Sequence, residues 1–214
     1  MNMKLVTLGL AALTVVLFFD GEQLSWTVAK ASGFVATLLL VGSMSVGIIS
    51  STKLSKSKFH AGDMFEVHRI SGYLMLLAIA VHSIGLLADD YIDFSLSSVL
   101  IPGVSHYRPV AVGVGIVAAY LSLIVAFSFD LKQWLGPKFW RVTHMLSYPL
   151  LALALVHGVL AGTDTGSLGV QVFYYGCGFL VLMLTIFRIL TPRPGAARRN
   201  KVAGVLSELS VGAE

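Results

Sequence analysis

Two histidines, His68 and His82, bracket the stretch HRISGYLMLLAIAVH, and almost everything between them is apolar. A second pair, His144 and His157, brackets HMLSYPLLALALVH. Imidazole is polar and titrates near neutral pH, so an apolar helix carries it only for a reason. Fourteen residues of helix cover about 21 Å and return to within about 40° of the starting face. His68 and His82 therefore share a face at two depths. His144 and His157 are thirteen apart, which misses a common face by about 140° in an ideal helix. Pro149 lies between them and removes one intrahelical hydrogen bond, so a kink or rewinding is expected there. Paired imidazoles at two depths on facing helices suit the two axial positions of haem iron. His68 with His144 would hold one haem and His82 with His157 another. A proton relay or ion path, a porphyrin-free metal site, and ordinary hydrogen-bonded core histidines are the alternatives. No Asp or Glu lies deep beside a histidine in either segment, which disfavours the porphyrin-free site.

The elements that must position these rings are membrane helices. The 214 residues are 56% hydrophobic and 12% charged, with a mean hydropathy of +0.83; soluble domains carry about 25% charged residues. The single cysteine, Cys177, excludes an internal disulfide framework and any Cys-based zinc or iron–sulfur site. The expected fold is an all-α integral membrane bundle of six spans, near 3–19, 26–50, 66–88, 109–131, 139–161 and 168–190. The first is barely long enough, and Lys4 before a short apolar run also resembles a signal peptide. The small-residue site at Ala29-Lys30-Ala31 lies far past that run, so a retained helix is expected. Residues 1–190 then form one transmembrane domain and 191–214 a basic cytoplasmic tail.

Loop charge sets the orientation. Lys53, Lys56, Lys58, Lys132, Lys138, Arg141 and the arginines after the last span alternate with loops carrying Asp20, Glu22, Asp89, Asp90, Asp93 and Asp164. The positive-inside rule puts both termini in the cytoplasm of a multi-pass plasma-membrane protein, with Lys30 and Arg108 as exceptions. The net charge of +4 speaks to topology and anionic lipid rather than to nucleic acid. His68 and His144 then lie near the inner side, His82 and His157 near the outer side.

The neighbours suit a cofactor. Arg69 and Arg141 flank the inner pair and could neutralise haem propionates. Gly72, Gly85 and Gly158 could let a flat macrocycle approach the backbone, although small residues also serve helix packing. Gly113-Val114-Gly115-Ile116-Val117-Ala118 has a fingerprint-like spacing, but it sits in an apolar span without a preceding strand and reads as helix packing. No residue is a convincing general acid, base or nucleophile, so no catalytic side chain is expected.

HRISGY…AVH in the third span and WRVTHMLSY…LVHG in the fifth resemble the ferric reductase-like transmembrane domain. That superfamily includes ferric reductases, NADPH oxidases and the haem-binding membrane subunit of the bacterial periplasmic methionine-sulfoxide reductase. The likeness covers roughly residues 30–190. It implies that His68, His82, His144 and His157 are axial ligands of b-type haem, two or at least one, and that electrons cross outward. Ferric reductases and NADPH oxidases usually continue into a flavin- and NADPH-binding domain. About 24 residues follow the last span here, so the donor is expected to be a separate flavoprotein reductase, a bound flavin or quinol. The expected acceptor is a ferric or cupric ion near Asp89, Asp90, Asp93 and His106, dioxygen, or a partner reductase at the outer face. The expected role is an oxidoreductase component of ferric-reductase type. Its rivals are a haem-binding electron-transfer subunit for a separate reductase and a non-redox transporter or proton channel.

Overall fold

The computed structural model describes residues 21–52, 61–90 and 92–191. The expected first span, His60, the lysines at 53, 56 and 58, and the tail from 192 onward lie outside the described residues. Those residues form α1 (Gly21–Ser50), α2 (Ala61–Leu87), a short α3 (Leu96–Leu100), α4 (Pro109–Phe127), α5 (Lys132–Met145), α6 (Ser147–Ala161) and α7 (Leu168–Leu190). Five segments are long and apolar enough to cross a membrane: Leu24–Ser50, Gly62–Leu87, Pro109–Phe127, Gly136–Ala161 and Leu168–Leu190. They coincide with the second to sixth expected spans. The fourth ends at Phe127 rather than 131, where Ser128 turns its hydroxyl onto the Val125 carbonyl.

The chain is a multi-pass membrane protein. Its outward faces carry large apolar side chains, such as Leu77 at 60% and Ile84 at 64% exposure. Such surfaces are tolerated when the solvent is lipid. The core gathers Leu40, Val41, Met44 and Ile48 of α1 with Met75 of α2, Ala118 of α4, Leu150 and Leu151 of α6, and Cys177 and Val181 of α7.

Packing is uneven. α1 lies closely along α2, and α4 lies closely along α6, while α2 and α6 scarcely touch each other through their backbones. The bundle is thus two helix pairs with a slot between α2 and α6. α7 closes one side by packing on α1 and α6.

The connector from 88 to 108 folds back over one end of the slot. Phe94 is buried against Val112 and Ile116 of α4. Tyr107 donates its hydroxyl to the Ala161 carbonyl at 3.1 Å, and Tyr120 donates to Leu100 at 2.6 Å. Arg108, an exception to the charge rule, donates to the Leu160 and Gly162 carbonyls at 2.6 and 3.2 Å. A cation satisfying the last carbonyls of a helix is favoured by its dipole. Lys30, the other exception, pairs with Asp164 at 2.9 Å across the same end.

Candidate haem-binding slot

All four intramembrane histidines reach the slot. The His68 and His144 ring centroids are 5.7 Å apart and the planes lie at 73°. His82 and His157 are 6.2 Å apart at 84°. The pairs occupy two levels, one near Lys132 and the other near Asp164.

The thirteen-residue spacing is accommodated at a break before the expected proline. α5 stops at Met145 and α6 starts at Ser147. The Leu146 N–H donates to Thr143, three residues back, at 3.1 Å. Such a tightened turn advances each residue by about 120° rather than 100° and supplies part of the missing rotation. Pro149 sits within the first turn of α6, where its absent N–H costs little. Below the break, Gly136 takes φ of 78° ahead of Pro137, so α5 is itself two pieces.

Three of the histidines share one seating device. His82 Nδ1–H donates to the Ala29 carbonyl at 2.6 Å, His157 Nδ1–H to Ala111 at 2.8 Å, and His68 Nδ1–H to Ser43 at 2.8 Å. A carbonyl only accepts, so Nδ1 carries the proton and Nε2 keeps its lone pair for a metal. Four residues after each accepting carbonyl stands a glycine: Gly33, Gly115 and Gly47. A helical Cβ tilts back toward the N-terminus and would lie beside that carbonyl. On Gly33 it would come within 3.3 Å of His82 Nδ1, and on Gly47 within 3.2 Å of His68 Cε1. On Gly115 it would lie 2.5 Å from His157 Cε1. The His157 ring therefore needs both the bare carbonyl and the missing side chain of the adjacent helix, while His82 and His68 would have to yield by a few tenths of an ångström to a side chain there. Ser43 adds a bond from its hydroxyl to the His68 carbonyl at 3.2 Å.

His144 differs. Its Nδ1 is buried with no partner among the described residues, and so is Trp140 Nε1 one turn away. The two rings stack, with centroids 5.5 Å apart and planes at 24°. Lys132 places its ammonium 4.5 Å from the Trp140 ring centroid.

The slot suits a six-coordinate iron in a flat macrocycle. Two metal–imidazole bonds of about 2 Å, with about 1 Å from each nitrogen to its ring centre, span about 6 Å. The observed separations of 5.7 and 6.2 Å match that span at both levels. A largely apolar cavity surrounds the upper pair, lined by Gly33, Phe34, Met75, Gly115, Leu150 and Tyr174.

A sequence model described as ferric reductase like transmembrane component matches residues 32–155. The chain belongs to this family. The ferric reductase-like match covers His68, His82 and His144, and His157 lies just beyond it. No curated protein and no solved structure gives a significant match.

Arg69 and Arg141 lie at the Lys132 end and are exposed. Arg69 is paired with Glu66 at 2.8 Å, and Arg141 Nε donates to the Pro137 carbonyl at 3.1 Å. Among the described residues no three His, Cys, Asp or Glu side chains converge to hold a bare metal ion. Asp89 is buried, accepting from Ser25 and from the Ile92 N–H. Gly85 packs against Ala29 and Gly158 against the Tyr174 ring, which is helix packing, while Gly72 faces open space. The glycines that seat the histidines are others, Gly33, Gly47 and Gly115. The fingerprint-like string is helix packing too: Gly113 abuts Gly103, and Gly115 receives His157.

Proposed function

We propose that this chain is a transmembrane b-type cytochrome with two bis-histidine haem sites, His68 with His144 and His82 with His157. The observation that carries the reading is the meeting of two imidazole pairs across a slot whose helices otherwise stand apart, each at a separation suited to an intervening metal. Haem bound there supplies one-electron transfer between the two levels.

The chain's own residues do the rest. Carbonyls of Ala29, Ser43 and Ala111 fix the ring tautomer and raise ligand basicity. The tyrosine and arginine clamps fasten the connector over the Asp164 end of the slot. By the charge pattern, the Lys132 end faces the cytoplasm, the bundle has six spans, and both termini lie inside. Electrons then enter at the Lys132 end from a flavoprotein reductase or quinol and leave at the Asp164 end to a ferric or cupric acceptor or a partner reductase. Arg69 and Arg141 add positive charge to the donor side.

The test is the visible spectrum of the purified protein, oxidised and dithionite-reduced, with a haem-to-protein ratio. Two haems per chain are expected, and His82→Ala with His157→Ala should leave one. A colourless protein from haem-replete cells would sink the reading and favour a non-redox transporter. An unchanged spectrum in the double variant would remove the assignment of the upper pair.

A further inference from the structure

Three of the four histidines have a built seat, and the fourth has none. Nδ1 of His68, His82 and His157 meets a carbonyl of the neighbouring helix at 2.8, 2.6 and 2.8 Å. The seats keep one register: Ser43 follows Ala29 by fourteen residues on α1, as His82 follows His68 on α2. The same step from Ala111 along α4 reaches Val125, and four residues on stands Phe129 where the other seats have glycine. Its ring packs on Phe65 and Trp140. His144 Nδ1 is buried without a hydrogen-bond partner among the described residues, and its ring is held by stacking on Trp140. The backbone differs as well. His68, His82 and His157 lie inside unbroken helices, whereas His144 sits on a short piece between the positive φ of Gly136 and the tightened turn at Leu146.

We infer that His144 is a dissociable ligand, and that the iron it shares with His68 is a binding site for a small neutral π-acceptor of ferrous iron, of which carbon monoxide is the probe. This rests on the cytochrome reading above. An accepting carbonyl commits Nδ1 to the proton and Nε2 to the metal, and at His144 nothing makes that commitment. A buried donor without an acceptor is destabilised, and a ring that turns away from the iron relieves it. The exchange breaks the bond from His144 Nε2 to iron and forms one from iron to the entering carbon. The iron stays ferrous, and no electron or proton is transferred. The His82–His157 level, with both rings seated, keeps its six ligands and only passes electrons.

The full-length protein in nanodiscs is reduced with dithionite and mixed with carbon monoxide in a stopped-flow spectrometer. The partner behind a ligating histidine is worth about 10–100-fold in metal affinity. Two phases of equal amplitude are therefore expected, with rates about 10–100-fold apart. His82→Ala with His157→Ala, which keeps only the lower level, should retain the fast phase. His68→Ala with His144→Ala should retain only the slow one. The two phases of the parent test the inference even if a double variant fails to fold. A single phase in the parent, no reaction with carbon monoxide, or a fast phase kept by the variant lacking His144 would each overturn it. A parent without a Soret band would instead overturn the cytochrome reading.

Discussion

Replacing Gly115 by alanine tests the seating device directly. The added Cβ would lie 2.5 Å from His157 Cε1 and 2.8 Å from Cγ. Carbon atoms rest at about 3.5–4.0 Å, so the overlap is about 1 Å. The ring must move by that amount or α4 and α6 must part. Either response stretches the 2.8 Å bond from Nδ1 to the Ala111 carbonyl and carries Nε2 off the axis toward His82. Overpacking of this kind costs about 1–3 kcal/mol. Loss of a partner behind a metal ligand costs about 10–100-fold in affinity. Gly115→Ala should therefore release one of two haems on dilution in detergent, read as haem-to-protein ratio, and leave the other spectrum intact. Gly33→Ala should act more mildly, since its nearest contact is 3.3 Å and His82 need yield only a few tenths of an ångström. Gly42→Ala, on the same helix as Gly33 with nothing within 4 Å, is the control and should behave as the parent. Equal haem content in all three variants would refute the claim that glycine is required where the imidazole meets the neighbouring helix.

Two further outcomes concern the Asp164 end. The hydrogen bond from Lys30 holds the Asp164 carboxyl below the usual carboxylate range. A folded-state pKa that is depressed gives stability present above the unfolded value, about 3.9, and lost as pH falls through the folded one. The side chains are 34% and 49% exposed, so the contribution is under about 1 kcal/mol. The melting difference between the parent and Asp164→Asn should thus be present at pH 7 and shrink below pH 4; a difference independent of pH would count against the pairing. Arg108→Ala removes two hydrogen bonds to the end of α6, and the connector should open, seen as faster chymotrypsin cleavage after its aromatic residues, such as Phe94 and Tyr107, in vesicles of defined orientation; unchanged cleavage would deny the arginine its clamping role.

The histidine pairs are legible in the sequence because a polar ring in an apolar helix is conspicuous and helical spacing gives its depth. Which ring meets which follows once two helices run in the same direction. The seats behind the rings are hidden for a different reason. A carbonyl has no side-chain identity, and its partner glycine is one of 21. The glycines nearest the histidines in sequence, Gly85 and Gly158, serve packing against Ala29 and Tyr174. The ones that matter sit on the adjacent helix, at 33, 47 and 115, where only the three-dimensional pairing of α1 with α2 and α4 with α6 identifies them. The break at Leu146 is legible in place though not in size: Pro149 has no N–H for the Met145 carbonyl and its ring crowds that carbonyl, so the irregularity falls in the turn before it, while the tightening to a Leu146–Thr143 bond is written in no residue type. Lys30 and Arg108 look like violations of a charge rule and are instead local partners of Asp164 and of a helix end.

The slot has an energetic consequence of its own. Two helix pairs are each closely packed, yet α2 and α6 meet mainly through four rings. In lipid no hydrophobic force presses one pair on the other, since tails are as apolar as the helices. A ligand that binds only the assembled slot stabilises it by RT ln(1 + [L]/Kd), about 4 kcal/mol at a thousandfold excess over Kd. Haem would then be the main tie between α2 and α6, beside the packing of α1 and α7 on α6 and of α2 on α4, and depletion should loosen α2 against α6 while each pair stays closed. Spin labels at Leu77→Cys and Val156→Cys, both lipid-facing in this structure, report the first distance, and labels on Leu77→Cys and Val35→Cys report the second. Haem-depleted protein should broaden the first distribution and leave the second narrow. Broadening of both would mean that the pairs are not independent units, and broadening of neither would mean that α7 and the connector hold the slot without the cofactor.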